Sequence, residues 1–256
     1  MSGSEPHPAS RSGSGGASPA LDALRVDLLG VADPVRAVAQ ARYLQVRPGG
    51  YGEGDLVLGV PVPAQRRVAA RHGAALTLTE VALLLHSPWH EERLTAIFVL
   101  VRRFDRAAAD ERRAIVELML ASTAWINNWD LVDSSAPYLL GPWLVDRDSS
   151  VLDILADSPS VWDRRIAIMA TSAFIRAGRF ARTLELAERL LHDEHDLIHK
   201  AVGWMLREVG NRDRAVEEEF LARHCRDMPR TMLRYAIEKF PPELRSAYLT
   251  GAVTPS

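Results

Sequence analysis

Helical periodicity recurs from Leu21 to about Leu249, and it constrains this chain more than any single motif. Leu94, Ile97, Phe98 and Val101 stand at i, i+3, i+4 and i+7, the spacing of one helix face. Pro, Gly, Asp and Asn punctuate the pattern, and Asp33-Pro34, Thr77, Ser87-Pro88, Asp110, Asp148, Ser160 and Asp196 read as segment starts. The starts predict helices over Val35 to Leu44, Val62 to His72, Thr77 to His86, Ser87 onward, Asp110 to Ser122 and Asp148 to Ala156. Further helices are expected over Ser160 to Ala177, Phe180 to His192, Asp196 to Val209, Arg212 to Cys225, Pro229 to Phe240 and Pro242 to Leu249. Alternating strands are not evident, and Leu56 to Val60 is the best short candidate.

The expected class is therefore all-α. Helix pairs of roughly 35–45 residues have the size of HEAT-like units, which stack into a curved solenoid with a concave binding face. Self-similarity between the pairs is poor, and a compact irregular helical bundle is the competing reading. Residues 1–20 are Ser, Gly and Pro with few apolar side chains, the composition of a disordered tail. Residues 21–250 form the folded domain and 251–256 a short C-terminal tail. With 47% of its residues hydrophobic, the chain has ample material for one sizeable core.

Net charge is -2, so global charge does not advertise a nucleic-acid partner, although a local patch is what decides. The cations are almost all arginine, with Lys200 and Lys239 the only lysines. Cys225 stands alone, which removes a disulfide framework and a Cys-based metal site. No apolar run precedes Leu21 and none is long enough to span a bilayer, so the cytoplasm is the default location and no membrane partner is expected.

Three segments place unusual side chains away from their apolar stripes. On Trp125 to Gly141, wound as one helix, Leu131, Val132, Tyr138 and Leu139 share a face and Trp129 and Asp133 lie opposite. Pro137 cannot donate to the carbonyl of Asp133 and should kink or end that helix. On Lys200 to Gly210, Val202, Met205, Leu206 and Val209 form the stripe, and Trp204 falls opposite it beside Lys200 and Arg207. An aromatic flanked by cations suits nucleic acid, the ring giving contact and the cations meeting phosphates. On Ser160 to Gly178, Trp162 lies on the core side, Arg165 at the margin and Arg164 across from it. A marginal arginine can lean over a groove and hold a phosphate. The plainer readings are a tryptophan covered by a neighbouring helix, a solvated acid and a solvated cation.

Other signals carry less. His195 and His199 have metal-ligand spacing without a third ligand, and Ser87-Pro88 separates His86 from His90. His90-Glu91-Glu92-Arg93 reads as a first helical turn with acids at its positive end. Gly52-Glu53-Gly54 begins a dinucleotide fingerprint but has Val57 at the third glycine. No nucleophile elbow, P-loop or HExxH occurs.

Eight short pieces, in order, resemble the AlkD-type family of HEAT-like-repeat DNA glycosylases. They are ARY from Ala41, YGEGD from Tyr51, LGVPVP from Leu58, HEER from His90, NWDLVD from Asn128, VWDRR from Val161, KAVGWMLRE from Lys200 and MPRTMLRYAIEKF from Met228. The resemblance implies that Trp129, Asp133 and Trp204 surround the deoxyribose of a damaged nucleotide, with Asp133 as the catalytic carboxylate. It implies that Arg165 engages the DNA backbone and that Tyr43 lies near the same site. Lys200 and Arg207 are further candidate DNA contacts. The implied partner is duplex DNA carrying alkylated purines, and the implied activity is monofunctional excision of the altered base by a monomer that needs no cofactor or metal. Such an enzyme works in base excision repair, and some relatives remove bulky adenine lesions made by their host's own genotoxin. A nucleoid location when bound to DNA follows. The alternatives are a non-catalytic binder of damaged or branched DNA and a protein-interaction scaffold.

Overall fold

The computed structural model describes residues 18–252, and helices account for nearly all of its regular structure. The first half runs α1 (Pro19–Leu29), α2 (Pro34–Tyr43), α3 (Val62–His72), α4 (Leu78–Leu85), α5 (His90–Phe104), α6 (Ala109–Ala121), a 3-10 turn (Thr123–Trp125), α7 (Trp129–Ser135) and α8 (Leu140–Leu144). The second half runs α9 (Val151–Ala156), α10 (Val161–Ala170), α11 (Ser172–Arg176), α12 (Ala181–Arg189), α13 (Asp196–Gly210), α14 (Arg214–His224), α15 (Arg230–Ala236), a second 3-10 turn (Ile237–Lys239) and α16 (Pro242–Thr250). Leu56 makes one bridge to Trp89, so the weak strand candidate is a connector. Helix α1 starts at Pro19 with Ser18 as its cap, two residues ahead of the boundary read from composition. The rest of the expected N-terminal tail and residues 253–256 lie outside the described residues.

The helices stack as a helical-repeat solenoid. Helices α5, α7, α10, α13 and α15 form one row, each packed on the next. Helices α6, α8, α11 and α12 make a second row behind it. One hydrophobic core runs continuously between them from Leu21 to Tyr248. Helix α13 shows how the pattern builds the stack. Ile198, Ala201, Val202, Met205, Leu206 and Val209 recur every three or four residues and are all buried. Each large apolar side chain so buried contributes about 1.5–3 kcal/mol. Gly203 then lets α15 close in, since a Cβ there would lie 2.4 Å from the Met232 carbonyl oxygen.

Two long helices expected from sequence are broken. Trp125 to Gly141 is not one helix, because the buried Asn128 caps a new one by accepting from the Trp129 amide. Helix α7 ends at Ser135, before Pro137. The break resets the phase, so Tyr138 is half exposed instead of joining Leu131, Val132 and Leu139 in the core. Ser160 to Ala177 breaks at the buried Thr171, whose hydroxyl donates to the Ile168 carbonyl at 2.6 Å and competes with the backbone ladder.

The first turn of α5 differs most from a solvated helix start. His90, Glu91, Glu92 and Arg93 are all buried. The Glu91 carboxylate accepts from the amides of Leu58, Gly59 and Val60 at 2.9, 2.8 and 3.2 Å. Glu92 pairs with Arg25 of α1, and Arg93 pairs with Asp55 and donates to the Ser87 carbonyl. This turn therefore clamps the 55–60 connector and α1 onto the row that carries the site.

Candidate functional site

The site is built outward from Asn128. Its side-chain oxygen caps α7, and its Nδ2 donates to the Leu44 carbonyl just after α2 at 3.1 Å. Gly52 permits the close approach of the following loop, since a Cβ there would lie 2.5 Å from the same carbonyl oxygen. These contacts fix Trp129 at the first position of α7, with Asp133 one turn on.

Three adjoining cavities meet at these side chains. One of about 340 Å³ is lined by Tyr43, Gln65, His90, Trp129, Asp130 and Asp133, among others. A second, of about 260 Å³, includes Asp133, Tyr138, Arg176, Trp204 and Arg212. A third, of about 320 Å³, includes Tyr43, Tyr51, Trp129, Arg165, Lys200 and Trp204. Trp129 and Tyr43 are shared by the first and third, Asp133 by the first and second, and Trp204 by the second and third. The residues picked out on α2, α7 and α13 thus converge from positions more than a hundred residues apart in the chain.

The aromatic walls are held in place. Tyr43 meets Trp129 edge-on at 5.2 Å between ring centres. Tyr51 packs edge-on against Trp162, which is buried as the helix face predicts. Burial pushes the Tyr51 phenol up, and a bond with Trp129 opposes that push. The Trp204 indole N–H donates to Glu208 at 3.3 Å, one turn along α13.

The partly buried Asp133 and the buried Arg165 form a bidentate pair. Arg165 Nε and Nη2 donate to the two Asp133 oxygens at 3.0 and 2.8 Å, and Nη1 donates to the Leu197 carbonyl at 2.6 Å. Arg165 is only 4% exposed, with its guanidinium turned onto Asp133 and the Leu197 carbonyl, yet it still lines the third cavity. Helix α10 is packed between α7 and α13, and a position marginal on an isolated helix is covered here from both sides. Burial pushes the Asp133 carboxyl above its ordinary range, Arg165 pulls it down, and Asp130 adds to the rise. Each Asp133 oxygen has a second lone pair beyond its bond to Arg165, leaving acceptor capacity for a further partner.

The two other cations behave differently from each other. Lys200 pairs with Asp196 at 2.6 Å yet still lines the third cavity beside Trp204. Arg207 pairs with Glu238 and lines none of these three cavities. The common polar face drawn for Lys200, Trp204 and Arg207 therefore splits, because Glu238 beyond α15 draws the arginine aside.

Asp130, His90, Tyr51 and Tyr138 escaped selection as site residues. Tyr51, His90 and Asp130 stand within YGEGD, HEER and NWDLVD, so membership of those pieces is the signal that could have found them. Among the described residues, no group of three or more His, Cys, Asp or Glu side chains is arranged to hold a metal ion, and no helix is long and apolar enough to cross a membrane.

Comparison with known proteins adds family and fold. The family described as DNA alkylation repair enzyme matches residues 24–240. Among solved structures, the chain is similar to a predicted DNA alkylation repair enzyme from Enterococcus faecalis, with a TM-score of 0.64 and 16% identity over 82% of this chain and 97% of that one. No curated protein matches.

Proposed function

The chain belongs to the DNA alkylation repair enzyme family, and on that premise we propose that it is a DNA glycosylase. It hydrolyses the N-glycosidic bond of cationic N3- or N7-alkylated purines in duplex DNA, bulky adducts included, and acts as a monomer on a HEAT-like-repeat frame. The observation that carries this reading is the meeting of one partly buried, arginine-held carboxylate with two tryptophans where three cavities join.

The chemistry suits these groups. Alkylation at N3 or N7 places positive charge on the purine, which then leaves as a neutral base without a strong general acid. As the bond from C1′ to nitrogen breaks, oxocarbenium character develops on the sugar. Asp133 stabilises that charge and orients the water that adds to C1′, taking up the proton the water loses. Trp129 and Trp204 pack on the sugar and add cation–π attraction as charge builds. Arg165 serves by holding both Asp133 oxygens in place, which is a different task from clamping a phosphate. Tyr43 and Lys200 meet the DNA at the groove, and Arg207 supports the helix that presents Trp204.

The test is incubation with duplexes carrying N7-methylguanine, N3-methyladenine or a bulky N3-alkyladenine, followed by assay of free base and abasic sites. Release without added metal or nucleotide supports the reading, and intact strands with all three lesions refute it. The near-neutral net charge and the pairing of Lys200 and Arg207 with acids favour a second reading, a protein-interaction scaffold. Fluorescence anisotropy with duplex DNA separates the two. Salt-sensitive binding belongs to the DNA reading, and no binding at low salt belongs to the scaffold.

A further inference from the structure

The first cavity has a second carboxylate, and a buried histidine stands behind it. Asp130 lies one turn before Asp133 on α7, at the i, i+3 spacing that puts both on one face. Both line that cavity. His90, the first residue of α5, directs Nε2 at Asp130 Oδ2 from 2.8 Å. Its Nδ1 faces Asp55 Oδ2 at 3.5 Å. Asp55 also takes Arg93 and the Asn127 amide.

A neutral imidazole carries one N–H, whereas an imidazolium carries two. Only the imidazolium offers a proton toward each of these carboxylates. Charge balance agrees. With His90 charged, Arg93 and His90 offset Asp55 and Asp130; with His90 neutral, a net negative charge is left among groups that are mostly buried, which is costly. Burial works to lower the imidazole, but the bond to Asp130 and the nearby Asp55 carboxylate raise it to about 9.

We propose that His90 is a positioning residue for excision: it pins Asp130 and offsets that residue's charge, so that the neighbouring Asp133 keeps its negative charge when the glycosidic bond breaks. The inference rests on the glycosylase reading of Asp133. The groups facing His90 are Asp55, Asp130 and Arg93. Asp133 is faced by Arg165 from α10 and, across the first cavity, by Arg66 from α3, Glu91 from α5 and Tyr43 from α2. Across the second cavity it is faced by Arg176 from α11, Glu208 at the end of α13 and Arg212 just beyond it. The acid that raises the Asp133 carboxyl is none of these but Asp130, one turn back on α7.

Two substitutions should move Asp133 in opposite directions. Asp130→Asn removes the repelling charge, so the acid limb of the pH–rate profile for N7-methylguanine release moves to lower pH. His90→Gln takes away the counter-ion of Asp130, so that limb moves to higher pH. The Asp133 carboxyl, followed by ¹³C NMR without DNA, should show the same opposite shifts. A purely structural His90 would lower the rate equally at every pH and leave the Asp133 titration in place. Shifts of the same sign, or none, overturn the proposal. If the wild-type protein releases no base, the glycosylase reading fails on its own, while the carboxyl titrations still test the coupling. If His90→Gln does not fold, the Asp133 titration in Asp130→Asn decides, and an unmoved carboxyl overturns the proposal.

Discussion

Replacing Arg165 with methionine removes three internal bonds at once, two to Asp133 and one to the Leu197 carbonyl. Both side chains of the pair are shielded, at 5% and 16% exposure. Methionine fills much of the arginine stem, so packing loss is secondary and the dominant cost is a carboxylate left without its partner. Breaking such a buried pair costs about 3–5 kcal/mol. The cost should depend on pH. Without Arg165 nothing strong opposes burial, and the Asp133 carboxyl rises further. The native state then holds a proton that the unfolded chain has released, so relative stability improves as pH falls. The penalty should be larger at pH 8 than at pH 5, two settings on either side of neutrality. Asp133→Asn in the methionine background removes the stranded charge and should recover about 1–3 kcal/mol as coupling. The assay is urea unfolding of wild type, both single variants and the double variant, followed by circular dichroism at both pH values. Additivity within about 0.5 kcal/mol, or an equal penalty at both pH values, would refute the buried-pair argument.

Asp133→Asn alone should lower base release by about 100-fold or more, while duplex binding by anisotropy stays within a few fold; normal release would remove Asp133 from the chemistry. Glu217 is buried and its carboxyl is pushed up to about 8, chiefly by burial, with Oε1 unpartnered and Oε2 against Gly210. Since its native value lies above the unfolded 4.5, stability should fall as pH rises through that window and level off above it. Glu217→Gln should accordingly raise the unfolding temperature above pH 8 and give no gain near pH 4, an unchanged melting curve at the higher pH counting against this. Gly203→Ala should destabilise by about 1–3 kcal/mol in the same urea assay, because its methyl meets backbone and the Tyr235 Cβ, which cannot swing aside.

What could be read from sequence divides along a physical line. Periodicity is a local property, and it located most helices. Capping is also local, and Asp33, Thr77 and Ser160 cap their helices, whereas α5, α6 and α9 begin without a side-chain cap and His195, not Asp196, caps α13. Asn128 was missed because its capping bond matters only together with its second bond, to Leu44. Thr171 was missed because a mid-helix threonine breaks the ladder only when burial turns its hydroxyl onto the backbone. His90-Glu91-Glu92-Arg93 is the first helical turn that the sequence predicts, and only its burial depends on a distant segment. Acids at a helix start suit solvent, and here the amides of the 58–60 segment replace that solvent for Glu91.

The same line explains why Asp133 and Arg165 look unrelated in the sequence. A helical wheel has one buried arc and one open arc, as on a helix that covers a core from outside. A helix inside a stacked row has neighbours on both sides as well as the core, and only a narrow strip remains for a groove. On α10 the strip is narrow enough that Arg165 reaches Asp133 on one neighbour and Leu197 at the start of the other. A charged residue just off the apolar stripe of such a helix has two outlets, the groove or a partner on the adjacent helix. Asp133 takes both, because its oxygens bind Arg165 while its side chain borders two of the cavities. The pair is therefore better treated as one unit shared by α7 and α10, and substitutions at either residue should be scored against both stability and excision.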